Sequence, residues 1–123
     1  MHNVFKGVVL AVGLAVAAGA VAEENVGHFK GLAAPDLETA VINFSEYNNR
    51  LETALSGELT DNDLMTIHQL TYTLENALEK INIDLEELAQ TLEKVHVASE
   101  TYNRDALKEA GPAYLKTSRT VIK

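Results

Sequence analysis

The feature that most constrains the fold of this chain is an apolar stripe through its middle. Over 32 residues the stripe positions follow one another in steps of three and four, and no Gly or Pro occurs from Thr60 to Ala110. This spacing matches the 3.6-residue period of an α-helix. The stripe consists of Leu64, Ile67, Thr71, Leu74, Leu78, Ile81, Leu85, Leu88, Leu92 and Val95.

A chain that stopped and reversed direction would have no reason to keep the register of its stripe. The sequence therefore predicts one long helix from about Asp61 to Ser99. One local signal favours an alternative, because Asp84 with Glu87 resembles the N-cap of a new helix just after Asn82. A break there would divide the long helix and give a four-helix bundle.

Two shorter amphipathic helices flank the long one. The first is predicted over Leu37 to Ser56, with Asp36 as its N-cap and Gly57 as its left-handed stop. The last is predicted over Arg104 to Ile122, with Asn103 as its N-cap. Gly111 and Pro112 lie inside this last helix, where a proline removes a backbone hydrogen bond, so we expect a kink. The fold class is thus all-α, and residues 36–123 form an antiparallel bundle of a short, a long and a short helix.

The N-terminus has the three parts of a secretory signal. A head with one cation, Lys6, precedes an apolar run of 16 residues that ends in Ala20-Val21-Ala22. A transmembrane helix needs about 20 apolar residues, and many in this run are Ala or Gly. We therefore expect residues 1–22 to be a signal peptide cleaved after Ala22, which makes the protein periplasmic or secreted, with no membrane attachment afterwards. Residues 23–35, with two glycines and no apolar period, are predicted to be a flexible leader.

The charge of the chain is acidic and unevenly distributed. The formal net charge is -8, and loss of Lys6 with the signal makes it -9, which disfavours nucleic-acid binding. Residues 101–123 carry five cations and two anions, whereas residues 23–100 carry four cations and 16 anions. We expect the basic end to dock on the acidic body of the same chain.

Few residues of the chain are candidates for metal binding or catalysis. The weak metal candidates are His28, His68, Glu93 and His96. Glu93 and His96 have the spacing of one di-iron ligand pair, but such a site needs two pairs and two further Glu. His68 and His96 are 28 residues apart, so a continuous helix separates them by about 42 Å, whereas a broken helix would let them meet.

No enzyme is expected. The chain has no Cys, no H-E-x-x-H motif and no glycine-rich phosphate loop, and its carboxylate pairs have helix-surface spacings. A b-type haem is disfavoured because Met65 is the only Met after the signal and no His follows His96. We therefore predict no catalytic residue and no cofactor.

Several stretches resemble a known family. They are His28 to Gly31, Asn43 to Asn48, Ile67 to Leu78 and Val95 to Glu100, of which Leu-Thr-Tyr-Thr-Leu-Glu-Asn (70–76) is the most specific. Together they look like a family of small secreted helical proteins of Gram-negative bacteria, catalogued only as a domain of unknown function. The resemblance implies secretion and an all-helical fold and brings no activity. Pro112 departs from the helix-compatible residue expected there.

Two functions follow as expectations. The first is a non-enzymatic periplasmic protein that acts by binding another periplasmic protein or itself. The second is a carrier of a small ligand or metal that uses the histidines above. The helix lengths favour self-association, because two short helices folded back on one long helix make a rod only two helices thick. An antiparallel homodimer would complete a four-helix cross-section, whereas a chain broken at Asn82 would close its own bundle.

Overall fold

The computed structural model describes residues 29–123 and contains three helices. They are α1 (Leu37–Leu55), α2 (Asp61–Glu100) and α3 (Arg104–Val121). The predicted all-α fold of short, long and short helices is confirmed, and α2 continues through Asn82 without a break. The predicted signal peptide (residues 1–22), the first part of the leader and His28 lie outside the described residues.

Local capping signals explain where the helices begin. The Asp36 carboxylate accepts the Thr39 backbone N–H at 2.8 Å, and this bond lowers the pKa of Asp36. At the start of α2, Thr60 and Asp63 form a reciprocal capping box. The Asn103 side chain accepts the Ala106 N–H at 3.1 Å at the start of α3. These caps are the ones predicted, so the helix bounds agree with the sequence analysis to within one residue.

The turns between the helices differ from the prediction. Gly57 was expected to adopt the left-handed conformation after α1, but the residue with positive φ in that turn is Leu59, at 55°. In the second turn Tyr102 has a φ of 54°. Both side chains are exposed, so a left-handed backbone here crowds no packed neighbour. Pro112 lies within α3 and does not end it.

Both short helices run antiparallel to α2 and pack on the same side of it. Leu37 and Ala40, near the start of α1, join Ala77 and Ile81 of α2 in one buried cluster. The end of α3 reaches the same place, because Val121 packs against this cluster. The middle of α2 is therefore the joint at which all three helices meet.

The packed face of α2 is not centred on the predicted stripe. The buried residues of α2 are Leu70, Thr73, Ala77, Ile81 and Ala98, of which only Ile81 belongs to the stripe. Leu70, Ala77 and Ala98 share one heptad position, and their partner helices pack over these mostly small side chains. The short helices therefore pack along one edge of the stripe, and the other edge of the stripe is exposed.

The leader also differs from the expectation, because residues 29–35 lie against the bundle. The Leu32 N–H donates to the Thr73 hydroxyl at 2.9 Å, and the Asn76 amide donates to the carbonyls of Lys30 and Leu32 at 3.0 and 2.9 Å. The Asn43 amide donates to the Ala33 carbonyl at 3.3 Å. These side chains give the polar backbone of a helix-free segment fixed partners, which composition alone does not reveal.

Gly31 makes this close approach possible. Its φ is 67°, and a Cβ at this position would lie 2.7 Å from the Thr73 backbone nitrogen. We therefore expect Gly31→Ala to detach the leader from α2 and to lower the free energy of unfolding by about 1–2 kcal/mol. Exchange of the Leu32 amide hydrogen and the NMR shifts of the Asn76 side-chain amide measure the detachment.

Gly111→Ala is the matched control, since Gly111 is helical and, its two chain neighbours aside, nothing lies within 4 Å of a Cβ there. That substitution should change the free energy of unfolding by no more than about 1 kcal/mol, because the higher helix propensity of Ala is opposed by the contact of the new Cβ with the ring of Pro112. If Gly31→Ala left the Leu32 amide as protected as it is in the wild type, the leader would not be held in this way.

Candidate functional site

Two regions of the surface stand out, and the first is the crossing of the leader over α2. The ring of Phe29 lies 6.2 Å from that of Tyr72, and the Tyr72 ring meets the His68 ring edge-on at 5.1 Å. The Tyr72 hydroxyl and His68 Nε2 are within hydrogen-bond distance, at 3.2 Å. Gly31, Tyr72 and Thr73, which touch here, come from two of the stretches that carry the family resemblance.

Thr73, Asn76 and Asn43 hold this crossing together, and the sequence analysis did not single them out. Thr73 is 1% exposed and Asn43 is 8% exposed, so each is a polar side chain on a packed helix face. A buried polar side chain needs a partner, and here the partner is the leader backbone. Two polar residues at otherwise apolar helix positions were the signal available in the sequence.

The second region is a row of exposed leucines along α2. We define the leucine row as Leu64, Thr71, Leu78, Leu85 and Leu92, which recur every seven residues. The four leucines are 54%, 44%, 39% and 46% exposed in chain order. A strict heptad row of leucines on a helix surface is typical of a helix that packs against a partner.

Apolar residues of the short helices extend this row into a face. Because α1 is antiparallel to α2 and each residue advances by about 100° around its helix, Val41 and Leu55 lie on the same side of the layer as the leucine row. Leu115 of α3 and Ile122, which directly follows α3, are exposed on that side as well. We call these residues and the leucine row together the open face.

The metal candidates are not brought together. His68 contacts Tyr72, and His96 Nε2 pairs with Glu100 at 3.3 Å, one helical turn along α2. Since α2 is continuous, the two histidines are about 42 Å apart. Glu93 lies on the same helix as His96, and within residues 29–123 no group of three potential ligands could hold a metal ion.

The ion pairs also differ from the expectation. Within the described part of the chain there are three, Arg50 with Glu46, Lys80 with Asp84, and His96 with Glu100, and each joins residues of a single helix. The hydrogen bond to Asp84 raises the pKa of Lys80. The basic end packs on α2, but none of these pairs ties α3 to the acidic body of the chain.

A groove of about 560 Å³ lies between α3 and the second half of α2. Small side chains line much of it, among them Ala98, Ala106, Ala110 and Ala113. The residues from Phe29 onward contain no helix long and apolar enough to cross a membrane.

Comparison with known proteins places the chain in a family. No curated protein and no solved structure matches it. The model of a family of unknown function, DUF6746, matches residues 1–123. Because this match covers the whole chain, the protein belongs to the DUF6746 family.

Proposed function

We propose that the protein acts without catalysis, by binding a helical protein surface through its open face. The observation that carries the proposal is the leucine row on an uninterrupted helix of 40 residues. Monomeric proteins rarely expose contiguous apolar patches of more than a few hundred Å², and larger patches mark interaction sites. Side chains that recur every seven residues fit another helix better than a small molecule.

The dimensions of the open face support a protein partner. At 1.5 Å per residue α2 is about 60 Å long, and a layer two helices wide measures about 20 Å across. The face therefore offers about 1,200 Å², whereas a standard interface covers about 800 Å² on each partner. The open face has room for a complete interface.

Site-specific labelling tests this function. The chain has no Cys, so Leu78→Cys introduces a single thiol on the open face. Ile83→Cys is the control, since Ile83 is 47% exposed and points away from the leucine row one turn along α2. In intact cells a maleimide should label Cys at 83 at least about tenfold faster than at 78. Equal labelling would show that nothing covers the face.

We also propose that the protein is exported and that the cut follows Ala22. The support is the charged head, the apolar run and the small residues at positions 20 and 22. When the full chain is expressed in a Gram-negative host, the intact mass of the periplasmic protein should correspond to a first residue of Glu23. Recovery of chains that retain Met1 in the membrane fraction would contradict this.

A further inference from the structure

We propose that the open face binds a second copy of this chain, antiparallel to the first. The two-fold axis passes between the two α2 helices, at the level midway between Leu78 and Leu85. The inference rests on the function proposed above and names the partner and its register. Three observations carry it: the helix charges, the overlap of the two long helices and the position of Asn82.

The charges of the short helices select the antiparallel pairing. When two open faces meet about an axis perpendicular to α2, the two long helices stack and α1 lies over the partner's α3. The α1 helix has three Glu and one Arg, and α3 has four Lys or Arg with one Asp and one Glu. Helices of net charge -2 and +2 thus oppose each other twice in the dimer, and unlike charges across an interface select orientation.

A parallel pairing has the opposite effect on α1. It would set α1 against the first half of the partner's α2, which carries four acids and one lysine, namely Asp61, Asp63, Glu75, Glu79 and Lys80. Like charges that face each other across an interface cost binding energy. Only the antiparallel pairing places α3, whose cations form no ion pair within residues 29–123, over the acidic α1 of the partner.

The overlap of the two long helices fixes the register. With the axis between Leu78 and Leu85, each of these leucines lies opposite the other on the partner, and Thr71 lies opposite the partner's Leu92. The axis is then one residue from the midpoint of Asp61–Glu100, so the two long helices overlap along their full length. Full overlap buries the most apolar surface, which is the main favourable term in association.

Asn82 and the histidines occupy the row next to the leucines. In this register Asn82 lies beside the partner's Asn82 at the axis, where two side-chain amides can bond to each other; a single paired Asn is a common device that specifies register between helices. His68 lies beside the partner's His96, because the two positions are equally far from Asn82. Two histidines that a single chain holds about 42 Å apart thus become neighbours in the dimer.

Light scattering after size exclusion tests the partner. The purified exported protein at micromolar concentration should have twice the mass of one chain. In Leu78→Glu/Leu85→Glu the dissociation constant should rise at least about 100-fold, because each dimer loses four buried leucines. Circular dichroism should show unchanged helicity, since both leucines are exposed in the single chain. Ile83→Glu is the matched control and should remain a dimer.

Disulfide formation tests the register without disturbing the face. Under mild oxidation Asn82→Cys should link two chains, whereas Ile83→Cys and His68→Cys should not. A mixture of His68→Cys and His96→Cys chains should give a mixed dimer. If Leu78→Cys linked to itself more efficiently than Asn82→Cys did, the axis would lie elsewhere and the register would be refuted.

The two levels of the proposal fail separately. A wild-type protein with the mass of a single chain at micromolar concentration would overturn self-association. If position 78 were nevertheless protected in cells, the open face would bind a different protein and the function proposed above would stand. An unprotected position 78 would overturn both.

Discussion

Ile81→Ala should lower the free energy of unfolding by about 2–5 kcal/mol, the largest effect expected of a single substitution in this molecule. Ile81 is 8% exposed and belongs to the cluster in which the ends of α1 and α3 meet α2. The substitution removes three carbon atoms at a joint where the surrounding backbone belongs to three helices and cannot close the gap. Denaturant titration at fixed protein concentration gives the change.

The control for Ile81→Ala is Ile83→Ala. The same atoms are removed two residues further along α2, where the side chain is exposed and packs on no partner helix. That change should lie within about 0.5 kcal/mol of zero, and the higher helix propensity of Ala favours a small gain. Equal losses at both positions would mean that the face of α2 assigned as packed is wrong.

Ala77→Leu should also be strongly destabilising, for the opposite reason. Ala77 and Ala40 have no exposed surface and lie in the same cluster, so α1 approaches α2 over two small side chains. A leucine at position 77 has no space and must push α1 away, which costs about 1–3 kcal/mol, or more if Leu37 loses its packing. Thermal or denaturant unfolding measures the cost, and the distance between the helices should grow.

Ala113→Leu provides the comparison for Ala77→Leu. Ala113 is exposed on α3 and lines the groove rather than the open face, so the larger side chain has space and the stability should change by no more than about 0.5 kcal/mol. A stable Ala77→Leu protein would show that α1 does not pack closely at this point.

Much of this architecture could be predicted from the sequence because the deciding signals are local. Asp36, the Thr60 and Asp63 pair, and Asn103 each satisfy backbone groups within three residues, so the helix starts follow from short motifs. The unbroken register across Asn82 correctly predicted one long helix. Its rival signal, Asp84 with Glu87, marks no new helix start, and Asp84 instead pairs with Lys80.

The packed edge of the stripe could not be predicted in the same way. Periodicity gives the direction and width of an apolar face on a helix. Within that face, the neighbouring helix packs where the distance between the two helix axes can be shortest. Leu78 and Leu85 are the more hydrophobic choice, whereas Ala77 and Ala98 permit a shorter distance between helix axes. The structure packs the small side chains and leaves the leucines exposed.

The leader crossing was hidden for a different reason. Thr73 and Asn76 bond to backbone atoms 41 to 46 residues away in the chain. Hydrogen bonds between residues so far apart in the chain produce no periodic pattern in the sequence. Gly31 looks like any loop glycine in the sequence, and only the structure shows its positive φ and its contact with α2. The residues that carried the resemblance included both sides of this contact, but a resemblance does not give geometry.

The placement of α1 and α3 on successive halves of one helix also bears on how the chain folds. Each short helix packs mainly on the part of α2 that follows or precedes it directly, so most native contacts join segments that are close in sequence. Chains of low contact order fold in microseconds to milliseconds, and no long loop has to close first. Either short helix can detach from α2 while the other stays packed. The amide protons of α1 and of α3 should therefore exchange with solvent as two separate groups, and both should exchange before those at the centre of α2.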